Sequence, residues 1–304
     1  MKDIKIAVVG NPNSGKTTLF NALTGAKQKV GNWPGVTVER KEGKFTYKDF
    51  KVEVIDLPGI YSFSAYSPDE QVARQFILHH GPDLVVNIVD GTNLERNLYL
   101  TAQLLEMKIP VVIALNMMDV AEKKKIEIEI NHLARHLDFP VVPIVACRRE
   151  GIHALKEKII ASGISQKLSS TRIVYDSIVE ESIRKIKPKI QAIAVKEKVS
   201  SRWLAIKLLE SDEVALQMTD NNFKELIERE IKKIEHHTGM DVDIVIADGR
   251  YGFINGLIKD VVHKDYEFRK TISDMIDRIV LNKFLSIPIF LGIMYLVFMI
   301  TINL

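Results

Sequence analysis

The sequence predicts an α/β fold: a P-loop domain with a mostly parallel sheet, followed by a small all-α domain and one transmembrane helix. Three observations carry that expectation. A short apolar run, a glycine-rich loop and a helical segment open the chain in that order. Strand-like and helix-like segments then alternate to about residue 168, a pattern that builds a parallel sheet covered by helices, with ligand loops at the carboxyl ends of the strands. Beyond Thr171 the strand signals fade, and Phe284 to Ile302 is an apolar run without a charge. The expected division is 1–168 for the α/β domain, 169–270 for a helical relay domain, and 271–304 for a linker helix and first transmembrane segment.

Ile4 to Val9 is β-branched and apolar and predicts a strand, and Thr17 to Thr24 carries Leu19, Phe20 and Leu23 at helical spacing. Gly31 to Thr37 is rich in glycine and proline and predicts an irregular loop. Gly43 to Phe50 and Lys51 to Asp56 predict a hairpin that turns near Asp49. Strands are expected at Leu84 to Asp90, Val111 to Asn116 and Val141 to Val145, with helices at Pro68 to His80, Leu94 to Glu106 and Ile126 to Leu137. The alternation over Ile126 to Ile130 also suits a strand, but Ile126, Ile130, Leu133 and Leu137 keep helical spacing over a longer window, which favours helix. Further on, Ser201 to Glu210 and Asn221 to His237 combine apolar helical spacing with many charges, and Asp248 to Ile254 leads into a helix through Val262.

The apolar run at Phe284 has the length of about 20 residues that crosses a bilayer core, and Pro288 and Gly292 are tolerated in such helices. Arg278 and Lys283 precede it and place its N-terminal side in the cytoplasm. The expected location is the cell inner or plasma membrane, with residues 1–283 cytoplasmic and membrane lipid around the run.

With 304 residues, 46% hydrophobic and 27% charged, the composition is that of a globular chain long enough for two domains. A net charge of +3 is too small to argue for a nucleic-acid partner. The single cysteine, Cys147, excludes an intramolecular disulfide framework and fits a reducing compartment. Ile4 to Val9 is too short for the apolar core of a signal peptide.

Chemistry concentrates in Gly10-Asn11-Pro12-Asn13-Ser14-Gly15-Lys16-Thr17, which fits the pattern of glycine, four residues, Gly-Lys and then Ser or Thr. Its glycines let backbone N–H groups close on phosphate oxygens. Lys16 is placed to reach the β- and γ-phosphates, Thr17 to ligate Mg²⁺, and Thr18 continues the helix whose N-terminus favours negative charge. Downstream, Asp56-Leu57-Pro58-Gly59 ends a strand: Asp56 suits a carboxylate holding Mg²⁺ through water, and the Gly59 N–H suits the γ-phosphate. Thr37, beside Gly35 and Val36, is placed to add its hydroxyl to Mg²⁺ only with a triphosphate present, which makes it a switch.

Asn116-Met117-Met118-Asp119 fits the guanine-reading motif, since the Asp119 carboxylate accepts from N1 and N2 of guanine and adenine offers no such donor pair. Ala146, between Val145 and Cys147, would then aim its N–H at the guanine carbonyl oxygen. Singly these residues have bland roles as turn, loop or helix-cap groups; their order and placement at strand ends favour a guanine-nucleotide site. Ile60 occupies the position where Ras-like GTPases carry a glutamine that orients the attacking water.

These motifs resemble the ferrous iron transport protein B family, and the resemblance extends to Asn32-Trp33-Pro34-Gly35-Val36-Thr37-Val38-Glu39, Ile60-Tyr61-Ser62 and Arg250-Tyr251-Gly252-Phe253-Ile254. The loop with Trp33 is the most specific of these. The resemblance implies a P-loop GTPase binding GTP or GDP with Mg²⁺, a helical relay domain, and ferrous iron passing through a membrane region of which this chain is the front part. The chain departs from many GTPases in reading Val145-Ala146-Cys147 where they have Ser-Ala. Similarity to potassium-activated GTPases implies that Asn13 ligates K⁺, with carbonyls around Gly31 to Trp33 completing its shell. Catalysis would then fall to Asn13, Lys16, Thr37 and Gly59. Two other readings stand beside this one: a soluble GTPase of ribosome or tRNA maturation, and a membrane-anchored regulator that transports nothing; a homo-oligomer is compatible with each.

His79-His80 and His236-His237 are neighbours that diverge on a helix and suit solvated surface better than a metal site. Cys147 is expected to be a small buried cysteine, and Glu122 to Lys125 a solvated helix entry.

Overall fold

A computed structural model of the chain describes residues 2–25, 28–33, 36–64, 67–219, 223–264 and 286–303. The first strand, β1 (Lys2–Gly10), sits mid-sheet because its alternate residues are apolar on both faces. Ile6 and Val8 pack with Leu19, Phe20 and Leu23 of α1 (Lys16–Thr24), whereas Ala7 and Val9 face a second cluster that includes Phe76 and Leu98. A strand buried on both faces belongs in a parallel sheet covered by helices. The sheet order is β2-β3-β4-β1-β5-β6-β8. Its parallel part comprises β4 (Phe50–Asp56), β1, β5 (Leu84–Asp90), β6 (Val111–Asn116) and β8 (Val141–Pro143). Two antiparallel strands, β2 (Gln28–Asn32) and β3 (Glu39–Tyr47), extend one edge.

Between the strands run α2 (Pro68–His80), α3 (Leu94–Met107), α4 (Met118–Lys123) and α5 (Ile130–Leu137), and α6 (Ile152–Ser165) follows the last strand of the sheet. Helix α2 starts where Ser67 accepts the Glu70 N–H, with Pro68 at the first helical position and Asp69 and Glu70 in the first turn. The helical part follows: α7 (Ser177–Ile186), α8 (Gln191–Lys196), α9 (Ser201–Leu209), α10 (Glu213–Gln217), α11 (Lys224–Thr238) and α12 (Val242–Val261). Asp176 and Ser200 cap α7 and α9 through their side chains. Met1–His263 forms one compact unit, in which the apolar cluster on the Ala7 face continues through α3 to Tyr175, Trp203 and Ile254.

The hairpin and the strands at Leu84–Asp90 and Val111–Asn116 lie where the sequence places them, although Phe50 opens the second hairpin strand and β8 stops at Pro143. Three local expectations are corrected. Gly31 and Asn32 are not loop but the end of β2, because β3 offers an open edge of N–H and C=O groups that pairs them with Arg40 and Glu39. Ile126–Ile128 is a strand, β7, paired with β9 (Val262–Lys264); its period of two wins over the longer helical spacing, and α5 begins only at Ile130. Asp248–Ile254 does not lead into a helix but lies within α12, which ends at Val261.

The second unit, Lys264–Leu304, contains α13 (Ser286–Asn303), an 18-residue uncharged helix. No helix among the described residues is long and apolar enough to cross a membrane. At about 1.5 Å per residue the 18 residues of α13 reach roughly 27 Å, short of a core of about 30 Å. Phe284, the start of the expected run, and Arg278 and Lys283 lie outside the described residues.

Candidate nucleotide site

Strand β1 ends at Gly10, where a Cβ would lie 2.4 Å from the Ile88 side chain and 2.7 Å from its carbonyl oxygen. Glycine is therefore required by the neighbouring strand β5. The chain then turns through Asn13 at φ 66° and Gly15 at φ 92°, with the Ser14 N–H bonded to the Asn11 carbonyl, and α1 opens at Lys16. A Cβ on Gly15 would meet Asn116 Nδ2 at 2.3 Å, so this glycine lets the phosphate loop close against the end of β6. Asn11 donates through Nδ2 to the Arg96 carbonyl at 3.1 Å. Asn11 Oδ1 and Ser14 Oγ are buried polar atoms without a partner among the described residues.

Lys16 Nζ is paired with Asp56 Oδ1 at 2.5 Å. The parallel register of β4 with β1, Val8 opposite Asp56, sets this carboxylate beside the loop. Burial pushes the Asp56 carboxyl above its ordinary range, and Lys16 partly offsets this. From Asp56 the chain crosses beneath the phosphate loop: the Leu57 N–H donates to Val8 and the Ile60 N–H to Gly10. A Cβ on Gly59 would touch Pro12 at 3.4 Å. Pro58 is half-buried beside it, and Ile60, 2% exposed, belongs to the apolar core and presents no side chain to the site.

Thr17, Thr18 and Thr37 are exposed, while Val36 packs against the core and Gly35 lies outside the described residues. Trp33 anchors the segment before Thr37. It is buried against Phe76 of α2 at 5.4 Å, edge to face, and its backbone N–H donates to the Val38 carbonyl at 2.9 Å.

At the other end, Asn116 is 4% exposed and makes two bonds. Its Nδ2 donates to the Ser14 carbonyl at 2.9 Å, and its Oδ1 accepts the Ala146 N–H at 3.0 Å. The Ala146 N–H, expected to face the guanine carbonyl oxygen, thus bonds the Asn116 side chain here. Met117 takes φ 62°, turning the chain so that α4 begins with half-buried Met118 and Asp119. Asp119 faces Arg148 at 3.3 Å, a partner that sequence spacing did not reveal. Arg148 ends a 3₁₀ turn from Ala146 through Cys147, and Cys147 is exposed, against the expectation of a buried thiol. Val145 before it is buried and bridges to Glu150. The structure thus gathers loop, carboxylate and base-side motifs at the carboxyl ends of β1, β4, β6 and β8.

A profile described as ferrous iron transport protein B matches residues 4–159, and one described as the FeoB cytosolic helical domain matches 175–263. The chain is 43% identical over 309 aligned residues to the Fe(2+) transporter FeoB of Shigella flexneri, covering all of this chain and 39% of that protein. It is 42% identical to an Fe(2+) transport protein A/Fe(2+) transporter FeoB fusion of Porphyromonas gingivalis, over 97% of this chain and 36% of the other. The chain therefore spans about two fifths of the length of the curated relatives it matches. Among solved structures, a GDP-bound NFeoB mutant of S. thermophilus superposes with TM-score 0.79 at 41% identity, covering 86% of this chain and 100% of that one. The cytosolic domain of L. pneumophila FeoB does so with TM-score 0.75 at 38% identity and the same coverage. The phosphate loop, the helical part behind it and these matches together make this chain, a P-loop GTPase fold with an attached helical domain, a member of the ferrous iron transport protein B family.

Proposed function

We propose that this chain is the GTP-binding and GTP-hydrolysing cytoplasmic part of a ferrous iron transporter, whose nucleotide cycle drives or gates Fe²⁺ passage through a membrane region beginning near Phe284. The observation that carries the nucleotide reading is Asn116: one buried amide ties Ser14 of the phosphate loop to Ala146 of the base-side turn, with Asp119 next on α4. A base recognised at Asp119 is thereby held at a fixed offset from phosphates cradled at Gly10 to Thr18.

The chain's own groups then divide the work. Gly10 through Thr18 supply backbone N–H donors and a helix N-terminus to the phosphates. On binding, Lys16 shares its charge between Asp56 and the phosphate oxygens. Asp119 accepts the guanine N1 and N2 hydrogens once Arg148 gives way, and Met117, Met118, Val145 and Cys147 frame the base. The Gly59 N–H meets the γ-phosphate, with Leu57 and Pro58 fixing its approach to Pro12. The oxygen-only set of Thr17, Thr37 and Asp56 suits Mg²⁺, which when bound neutralises charge on the phosphate oxygens. Asn13, exposed in a left-handed turn, suits K⁺ in the same role. Since Ile60 is in the core, no side chain at that position orients water, and basal hydrolysis is expected to be slow.

In this reading residues 1–168 are the GTPase domain, 169–270 relay its state, and 271–304 carry the linker and first membrane segment. The membrane assignment is supported by α13, where twelve large apolar side chains between Ile287 and Ile302 are exposed and no charge interrupts the helix. Phosphate release by the full chain in detergent, with GTP against ATP and K⁺ against Na⁺ at matched ionic strength, tests the proposal. GTP turnover faster in K⁺, with Asn13→Ala erasing the salt difference but not nucleotide binding, is expected. No turnover of GTP in either salt overturns the GTPase reading, and equal rates overturn the role of Asn13 alone.

A further inference from the structure

We propose that His132 and His136 chelate a divalent transition-metal ion on the surface where α5 meets the end of α12. The two histidines are one turn apart on α5, with ring centroids 4.6 Å apart, and their Nε2 atoms are hydrogen-bonded at 3.0 Å; with the lone pair on His132 the bond's proton sits on His136 Nε2 and passes to solvent when an ion takes both nitrogens. Two nitrogens each about 2.1 Å from an ion, at angles between octahedral and tetrahedral, are separated by roughly 3.0–3.4 Å. The pair is already at chelating distance.

The surroundings prepare it further. Glu129 Oε2 faces His132 Nδ1 at 3.5 Å, which favours the tautomer with the proton on Nδ1 and leaves Nε2 as a lone pair. A carboxylate behind a histidine is the usual support for a metal-binding imidazole. Glu129 is itself held at 2.7 Å by His263 of β9. On the other side Asp260 of α12 brings Oδ2 within 3.7 Å of His136 Nε2, close enough to join the shell after a rotamer change. Both imidazoles are about one third exposed, so an ion reaches them from solution. Among the described residues no three His, Cys, Asp or Glu side chains already surround a common ion position. The site is therefore a two-imidazole chelate whose remaining places fall to water and Asp260. Imidazole suits Fe²⁺, Co²⁺, Ni²⁺ and Zn²⁺ rather than Mg²⁺ or Ca²⁺.

The cluster shares no residue with the nucleotide site. An ion there would join α5, in the GTPase part, to the last turn of α12, in the helical part, just before residue 264. The inference does not depend on iron being the transported ion.

The full chain in detergent, titrated with Co²⁺ by calorimetry and followed through the Cε1–H signals of its eight histidines, tests it, with anaerobic Fe²⁺ as second probe. One saturable event that first moves the His132 and His136 signals is expected. His132→Ala and His136→Ala should each weaken it about 10–100-fold, the range lost when even supporting residues of metal sites are removed, and His153→Ala should leave it unchanged. GTP turnover in the two variants should match wild type, which shows the fold intact and separates this site from the nucleotide reading. Unchanged titration in both variants, or metal-induced shifts centred on His236 and His237, would overturn the assignment.

Discussion

In the proposed reading base identity is decided at Asp119, and a guanine bound there would displace the partner the structure gives it, Arg148 at 3.3 Å. Replacing the carboxylate by an amide exchanges an acceptor for a donor, so Asp119→Asn should weaken GTP and favour xanthosine triphosphate. A lost charged hydrogen bond costs about 1.5–3 kcal/mol, or roughly ten- to a hundredfold in affinity. Titration of the variant with both nucleotides checks this, and unchanged GTP affinity would remove Asp119 from the site. The positions of Gly15, Lys16, Asp56 and Asn116 were legible because fixed spacing in the chain encodes them. The commitment of the Ala146 N–H to Asn116 and the approach of Arg148 were not legible. Each depends on where the turn after β8 lands beside β6, which no local spacing specifies.

At the scale of elements, α3, α9 and α12 are joined by a buried ionic cluster centred on Arg250, which is 1% exposed. Arg250 donates to both oxygens of Glu106 at 3.0 and 2.9 Å and to Glu210 at 2.6 Å; Tyr175 bonds Glu106, and Lys207 meets Glu210 at 2.8 Å. Truncating Arg250 leaves two buried carboxylates short of their counter-charge, so Arg250→Met should cost about 3–5 kcal/mol, read as a lower denaturant midpoint. Acid should act on the same cluster. Burial alone would push the Glu210 carboxyl up, but Arg250 and Lys207 outweigh it and hold it at about 2. Its folded value lies below its ordinary one, near 4.5, so its stabilisation is present above that pH and lost as pH falls toward 2. Glu210→Gln should therefore lower the midpoint at pH 7 and flatten its decline in that window. The sequence marked Arg250-Tyr251-Gly252-Phe253-Ile254 as distinctive yet read it as the approach to a helix, since the partner Glu106 is 144 residues away. Ile126–Ile128 was misread for a related reason: its partner strand β9 arrives only at Val262.

For the whole molecule the succession of an α/β part and a helical part was legible, because a change from alternating to purely helical spacing is a property of long windows. How the helical part packs was not, since charged helices such as α11 show the apolar face they bury but not the neighbour that covers it. The end of the chain poses the opposite problem: twelve large apolar side chains between Ile287 and Ile302 are exposed on α13, and burying each is worth about 1.5–3 kcal/mol. A driving force of that size is met by lipid, by detergent or by association. Residues 1–263, in contrast, form a compact unit with its own core, and the cytosolic domain of the L. pneumophila relative, matching 86% of this chain, has been solved as a separate structure. A fragment of residues 1–263 should therefore run as a single species without detergent and bind GTP as tightly as the full chain, while the full chain should partition into detergent micelles or vesicles. Size-exclusion chromatography of both proteins, with and without detergent, measures this directly. If the full chain stays monodisperse without detergent, α13 finds its cover within the protein, and the membrane segment must be sought elsewhere.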